Sequence, residues 1–492
     1  MSFYTKLSDT PYAVMISPKL LGERLSAISY NNDFLGFMQA VANSDLTFVN
    51  LGEYFDISAM VGWKNLTTED YVNQGVRMLR VVDIRERFVS LESTVQVSPA
   101  KVQEQPQIHL KAGDIVYSKD GTLGIAAIVP DVKELICAGS TLARVRIKKH
   151  STKILDPYFV VAFLNCEFAQ SQVSYYTNGI AQPHITQEYI YKLRIPIPDP
   201  KIQAYIGDKV RLAERCREEA QTKRSQIENL LDQHAHKADI AALLSAKPQP
   251  SHNIEAKIIN DRLDAEFYQP HYLDLVQIIQ ARPYQKLGDV IHLPIKGVQP
   301  EYDSTGTVPV LTGANIDPYR LDLEGAKRVN LEWAEGKTKA LAVSNEILFT
   351  VTGPPLGEAA VVHFCQAPLV INSHVARIKT RQSFPYPFYL TALMNSTIVS
   401  AQVYRYCKGV RQKELYPEDI MQFVIPEVDI EIVRQINNLG YAADFLEYRA
   451  SGLIREAIAD VENLIEGKLE TSEIMASKLI APTWEDIEHQ LQ

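Results

Sequence analysis

The chain has 492 residues, enough for two or three domains, and its 46% hydrophobic and 22% charged content is that of an ordinary globular protein. No apolar run reaches the roughly 20 residues a membrane-spanning helix needs. The N-terminus "MSFYTKLSDTPYAVM" lacks the basic-then-apolar pattern of a secretory signal, so a cytoplasmic location is expected. Five scattered cysteines without a CxxC pair read as reduced thiols, and the net charge of -9 argues weakly against nucleic acid unless basic residues gather on one face.

In chain order, "DIVYS", "GIAAIV" and "LARVRI" read as strands, rich in β-branched residues and bounded by Gly and Asp turns. "PYFVVAFLNCEFAQSQVSYY" reads as one helix, capped by Asp156 with Pro157 in its first turn. A long helical pattern follows from about Pro198 to Ala246. Ile206, Val210, Ala213, Ala220, Ile227 and Leu231 recur at steps of three and four, with Arg217 and Arg224 in the two missing seam positions. A helix of about 40 residues would be ~60 Å long, more than one compact domain needs. "SAKPQPSHN" (Ser245 to Asn253) reads as a linker. A second long pattern runs from Asp429 to Leu469, with Ile432, Ile436, Leu439, Ala443, Leu446, Ala450, Leu453 and Ala457 in its seam. The tail "APTWEDIEHQLQ" reads as a short docking helix or a frayed end.

The two halves answer each other in order. "RLSAISY" at Arg24 matches "RLDAEFY" at Arg262, and "VRMLRVVDI" at Val76 matches "VPVLTGANI" at Val308. "GDIVYSKDGTLG" at Gly113 matches "NEILFTVTGPPLG" at Asn345, and "STLARVRIK" at Ser140 matches "SHVARIKT" at Ser373. "DPYFVVAFLN" matches "YPFYLTALMN", "QVSYYTNGIAQ" matches "QVYRYCKGVRQ", and "LRIPIP" matches "FVIPEV" just before each long helix. Each repeat is thus a globular part followed by a long helix.

No catalytic motif stands out. "DPYF" at Asp156 resembles the motif of amino-methyltransferases but lacks its second proline, and the helix-start reading serves better. "EGKT" at Glu335 ends like a phosphate-binding loop, but Leu331 stands where the first glycine is required. "TGPPLG" (Thr352 to Gly357) reads as a tight turn between strands. His234 and His236 point to different helix faces, so no metal site is expected.

Binding is the better expectation. Arg144, Arg146, Lys148 and Lys149 cluster in and after one strand, and Arg377, Lys379 and Arg381 occupy the matching place. Alternation puts Arg144, Arg146 and Lys148 on one face, as a DNA-binding stripe or as a solvated strand. The loops "TNGIAQPH" (Thr177 to His184) and "CKGVRQKE" (Cys407 to Glu414) offer Asn178, Gln182 and His184 in one half and Lys408, Arg411, Gln412 and Lys413 in the other. Such side chains reach base edges or neutralise phosphates. Lys119 in the glycine turn and Arg405 before the second loop complete the candidate DNA-binding set. The same scaffold with different loop tips suggests one fold reading two targets.

On "LKAGDIVYSKDGTLG", "NGIAQPHIT" and "LRIPIPDPKIQAYIGDKV", in order and repeated, the chain resembles the specificity subunit of type I restriction-modification systems. That family usually opens the helix after "IPIP" with a Gln; here Gln203 is close, and Gln435 lies deeper in the second helix. The resemblance implies an α+β chain with two tandem, pseudo-symmetric α/β target-recognition domains and a long antiparallel two-helix coiled-coil spacer. The expected boundaries are 1–200 and 247–428 for linker and recognition domains, 201–246 and 429–470 for spacer helices, and 471–492 for the tail. It further implies a non-catalytic subunit that reads double-stranded DNA with a split target. Adenine methyltransferase (modification) subunits and a translocating nuclease (restriction) subunit would be its partners. S-adenosylmethionine, ATP and magnesium would then belong to those partners. The alternatives are a type IIB specificity subunit, a coiled-coil scaffold without DNA specificity, and a two-domain enzyme with an unrecognised site.

Overall fold

The computed structural model describes residues 4–9, 12–16, 30–60, 66, 68–91, 94–177, 183–235, 251–259, 262–364 and 368–491. The chain divides into two compact units: Met1–Arg217 with Arg449–Gln492, and Glu218–Tyr448. Both mix helices and sheets.

In the first unit, one antiparallel sheet runs in the order Ala126–Ile128, Ile115–Ser118, Leu142–Ile147, Phe55–Ala59. A second has the order Val95–Val97, Tyr71–Leu79, Ile136–Ala138, His109–Leu110, with one parallel pair between Tyr71–Leu79 and Ile136–Ala138. Strand Arg194–Ile197 pairs with Thr47–Asn50. The second unit repeats this plan. Its first sheet is Ala359–Val361, Ile347–Thr350, Val375–Ile378, Ile295–Lys296; its second is Lys327–Val329, Val308–Leu311, Leu369–Ile371, Leu341–Ala342, again with one parallel pair. The three strands read from sequence in the first half are all present; Ile115–Ser118 and Ala126–Ile128 are fully buried, and Leu142–Ile147 is half-buried at Arg144, Arg146 and Ile147.

The single helix expected over Pro157 to Tyr176 is two helices, Pro157–Leu164 and Glu167–Tyr176. The break has a chemical cause. The Asn165 side chain leaves the helix to accept from the Ala126 amide (3.2 Å) and donate to the Ala126 carbonyl (2.8 Å), and Cys166 turns extended. Asn395 does the same with Ala359 between Pro387–Asn395 and Thr397–Tyr406. Each amide therefore ties a helix to an edge strand. It meets both backbone groups of Ala126 in the first unit and of Ala359 in the second, where the Ala359 carbonyl also accepts from the Tyr319 amide at 2.9 Å. Gln172 and Gln402 repeat the device, each bonding both backbone groups of one residue in the strand before the long helix, Arg194 or Val424.

The long helices span Pro200–His234 and Ile430–Ile465, and the division between units falls inside both. Each begins at an aspartate whose carboxylate accepts an amide two residues on: Lys201 N–H to Asp199 (2.9 Å) and Glu431 N–H to Asp429 (2.8 Å). All six apolar seam positions of the first helix are buried. The stretch 236–246, into which the sequence pattern extended that helix, lies outside the described residues, as does most of "RLSAISY".

Within the first unit the two helix segments run antiparallel. Lys209 pairs with Asp460 at 2.5 Å, and Lys201, further back, donates to the carbonyl of Met475 beyond the second helix. Within the second unit, Arg224 meets Glu447 at 3.0 Å, while Ile227 and Leu231 share a core with Val433 and Ile436. The tail is ordered into Thr471–Met475 and Trp484–Leu491, with Ile487 buried and Trp484 stacked 4.2 Å from the Arg215 guanidinium.

Asn165→Ala leaves both backbone groups of Ala126 unpaired in a dry site. It should cost about 2–3 kcal/mol, read as a lowered urea midpoint at unchanged slope, with Asn395→Ala giving a smaller loss because the Tyr319 amide still donates to the Ala359 carbonyl.

Candidate nucleic-acid interface

Two loops meet at one edge of each unit. The first is the glycine turn after the central strand. Gly121 and Gly124 have φ of 77° and 81°, a left-handed backbone that favours glycine, and the Ser118 hydroxyl accepts from the Ile125 amide at 2.8 Å. Gly353 and Gly357 (82° and 86°) with Thr350 repeat it, so "TGPPLG" is the turn expected. The second loop follows the helix pair and returns to the first. Ile185 N–H donates to the Lys119 carbonyl at 2.9 Å beside an antiparallel bridge of Asp120 with His184. At the matching positions Leu415 N–H donates to the Val351 carbonyl at 2.8 Å beside the bridge of Thr352 with Glu414. In the second unit Lys408 and Glu414 exchange both backbone hydrogen bonds at 2.8 Å and close a tip over residues 409–413. Val410 there is fully exposed, and Arg411 and Gln412 also face solvent.

The candidate residues fall into two groups. Most strand cations are held inside their own unit. Arg146 makes a two-pronged ion pair with buried Asp114 (2.6 Å to each oxygen), which raises its pKa against the effect of burial. Arg144 donates to the His109 carbonyl at 3.1 Å, and burial, then neighbouring Arg146, lower its pKa. Lys148 donates to the carbonyls of Gly52 (2.8 Å) and Glu53 (3.2 Å). In the second unit Arg377 pairs with buried Glu346 at 2.8 Å, and Arg381 donates to the Gly288 carbonyl at 3.1 Å. Arg405 is only 8% exposed; it donates to the Phe267 carbonyl (3.2 Å) and lies 4.2 Å from that ring, and burial lowers its pKa. Lys413 pairs with Glu266 at 2.7 Å, Lys119 with Asp120, and Lys408 with Asp419 at 2.9 Å while 46% exposed. The second group faces solvent: Lys149, His184, Lys379, Lys408, Arg411 and Gln412. Asn178 and Gln182 lie outside the described residues.

Two features escaped the sequence reading. Asp114 and Glu346 occupy one repeat position, just ahead of the central strand, and were passed over as turn residues although each faces an arginine on the neighbouring strand of its sheet. Lys296 reaches back to Glu414 and pins the second loop, a contact no local motif signals. The chemistry available is that of an exposed, polar and locally basic pair of loops on a rigid edge. Arg146→Ala would strand Asp114 and should destabilise the protein by about 3 kcal/mol, whereas Lys149→Ala should stay within about 0.5 kcal/mol; chemical denaturation compares the two.

Residues 43–229 match the type I restriction modification DNA specificity domain. Over 189 residues the chain is 23% identical to the type I restriction enzyme MjaVIII specificity subunit of Methanocaldococcus jannaschii, covering 37% of this chain and 43% of that one. The chain thus matches less than half the length of that curated relative. Among solved structures it is similar to the type I restriction-modification system S subunit from M. genitalium (11% identity, 87% of this chain and 96% of that chain, TM-score 0.39). The HsdS subunit from Thermoanaerobacter tengcongensis is a second (15% identity, 87% and 98%, TM-score 0.30).

Proposed function

We propose, from the match of residues 43–229 to the type I restriction modification DNA specificity domain, that the whole chain is a non-catalytic DNA-recognition subunit that reads a split double-stranded target. Each unit carries a recognition domain, within 1–200 in one and 247–428 in the other, and reads one half-site with its paired loops. The long helices, 201–246 and 429–470, pair antiparallel as a coiled-coil spacer that sets the gap between half-sites. Adenine methyltransferase subunits and a translocating nuclease subunit dock on the pseudo-symmetric chain and supply all catalysis. Bivalent reading of this kind gains its strength and its gap preference from the stiffness of the linker.

The observation that carries this reading is the repeated loop pair. The same backbone bonds, Ile185 to Lys119 and Leu415 to Val351, hold loops with different tips. A frame kept constant beneath variable side chains is what two different half-sites require, since base-edge contacts specify sequence while the frame positions them. Arg411, Gln412 and Lys408 in the second unit, and His184 in the first, face solvent, and in this reading they are the side chains that contact DNA. Arg144, Arg146, Arg377, Arg381 and Arg405 serve the domains' own stability.

Mapping N6-methyladenine across the host genome with and without this gene tests the reading; a bipartite motif should lose its methylation on deletion, and unchanged methylation would contradict it. Arg411→Ala should weaken binding about tenfold or more for targets carrying the second unit's half-site and leave discrimination in the other half-site intact. Equal loss at both half-sites would remove the loop assignment.

A further inference from the structure

Two arginines interrupt the apolar seam of the first long helix, and each lies where a β-hairpin of its own unit meets that helix. In the first unit, hairpin Ile84–Arg85/Phe88–Val89 turns through Glu86 and Arg87, both left-handed (φ 48° and 67°) as a tight two-residue turn requires. Its Phe88 is buried beneath Arg217, 4.4 Å from the guanidinium, and Glu86 accepts from the Ser451 hydroxyl of the second helix at 2.6 Å. In the second unit the matching hairpin, Ile316–Asp317/Arg320–Leu321, turns through Pro318 and left-handed Tyr319 (φ 66°). Tyr319 lies 5.6 Å from the Arg224 guanidinium and donates its hydroxyl to Glu228 at 3.0 Å. Arg224 also pairs with Glu447 of the other helix, and that pair is largely buried.

A buried ion pair in an apolar seam adds little stability, and apolar replacements of similar size often do better. What such a charge does supply is choice of register and partner. Stacking on an aromatic ring adds a direction to that choice. We infer that Arg217 and Arg224 are positioning residues, each fixing the angle at which its own unit's sheets stand on the helix pair, and so the aim of that unit's reading loops. This rests on the split-target reading above and goes beyond it: specificity is set in part by side chains that touch no DNA.

The test uses the full-length protein with Arg224→Leu, which fills the seam with apolar volume. Thermal stability should fall, because Glu447 loses its cation in a largely buried site. The affinity ratio between the best target and one whose gap differs by one base pair should fall about tenfold, and so should mismatch discrimination in the second unit's half-site. Discrimination in the first unit's half-site should not change. Arg217→Leu should show the converse. If Arg224→Leu fails to fold, Tyr319→Phe, which removes the hydroxyl that bonds Glu228 and keeps the ring beside Arg224, decides by the same ratios, with a smaller fall expected. Unchanged ratios in a folded variant overturn this inference alone. A wild-type protein indifferent to the gap overturns the split-target reading, and this inference with it.

Discussion

A helix of 35 residues with one narrow apolar stripe is not stable in water unless a second surface covers that stripe. Both units are built on this requirement. In the first, the stripe around Ile206, Val210 and Ala213 is buried, and Lys209 reaches Asp460 across the pair. Burial alone would drive the Lys209 ammonium toward its neutral form; the hydrogen bond and charge of Asp460 overcome that and raise its pKa. In the second unit Ile227 and Leu231 join Val433 and Ile436 in a core that also takes in the helix Pro387–Asn395. The sheets, the helix breaks and the loop pair are all fixed relative to helices that exist because they are paired.

The repeat shows which interactions matter and which are interchangeable. The amides of Asn165 and Asn395 bond the same two backbone groups of an edge-strand residue, and Gln172 and Gln402 do the same for Arg194 and Val424. The cap on the following helix is different. Asp156 accepts from the Tyr158 amide, and Gly207 leaves room for it: a Cβ there would come within 2.7 Å of the carboxylate. In the second unit Tyr386 replaces the aspartate and Asn437 of the long helix accepts from the Phe388 amide instead. The acceptor has moved to the opposite helix while the bond to the exposed amide remains. Likewise the acid of the strand face is kept as Asp114 or Glu346, but its cation comes from Arg146 in one unit and from Arg377, aligned with Arg144, in the other.

Much of the architecture was legible in the sequence because hydrophobic period and internal repetition report directly on burial. The six seam residues of the first helix, the strands and the Asp156 cap are where the pattern put them. In the second helix Ile436, Ala443, Leu446, Ala450, Leu453 and Ala457 are buried, but Ile432 and Leu439 are only half-buried and Val433 is buried instead. The break at Asn165 was not, because the apolar period continues across it and only a contact 39 residues away reveals its cause. The strand cations were ambiguous for a related reason. Alternation tells that Arg144, Arg146 and Lys148 share a face, not whether a buried acid or a carbonyl waits there. The seam arginines were visible as gaps in a stripe, but their hairpin partners lie more than 90 residues from them and no local signal joins the two.

Selection of bound sequences from a random duplex DNA library by the purified full-length protein addresses the central claim most directly. The expected result is two short specified blocks separated by an unspecified gap of one fixed length, with affinity falling steeply as salt rises. A single continuous block, or enrichment no stronger than non-specific binding, would contradict the account of two reading units on a paired-helix frame.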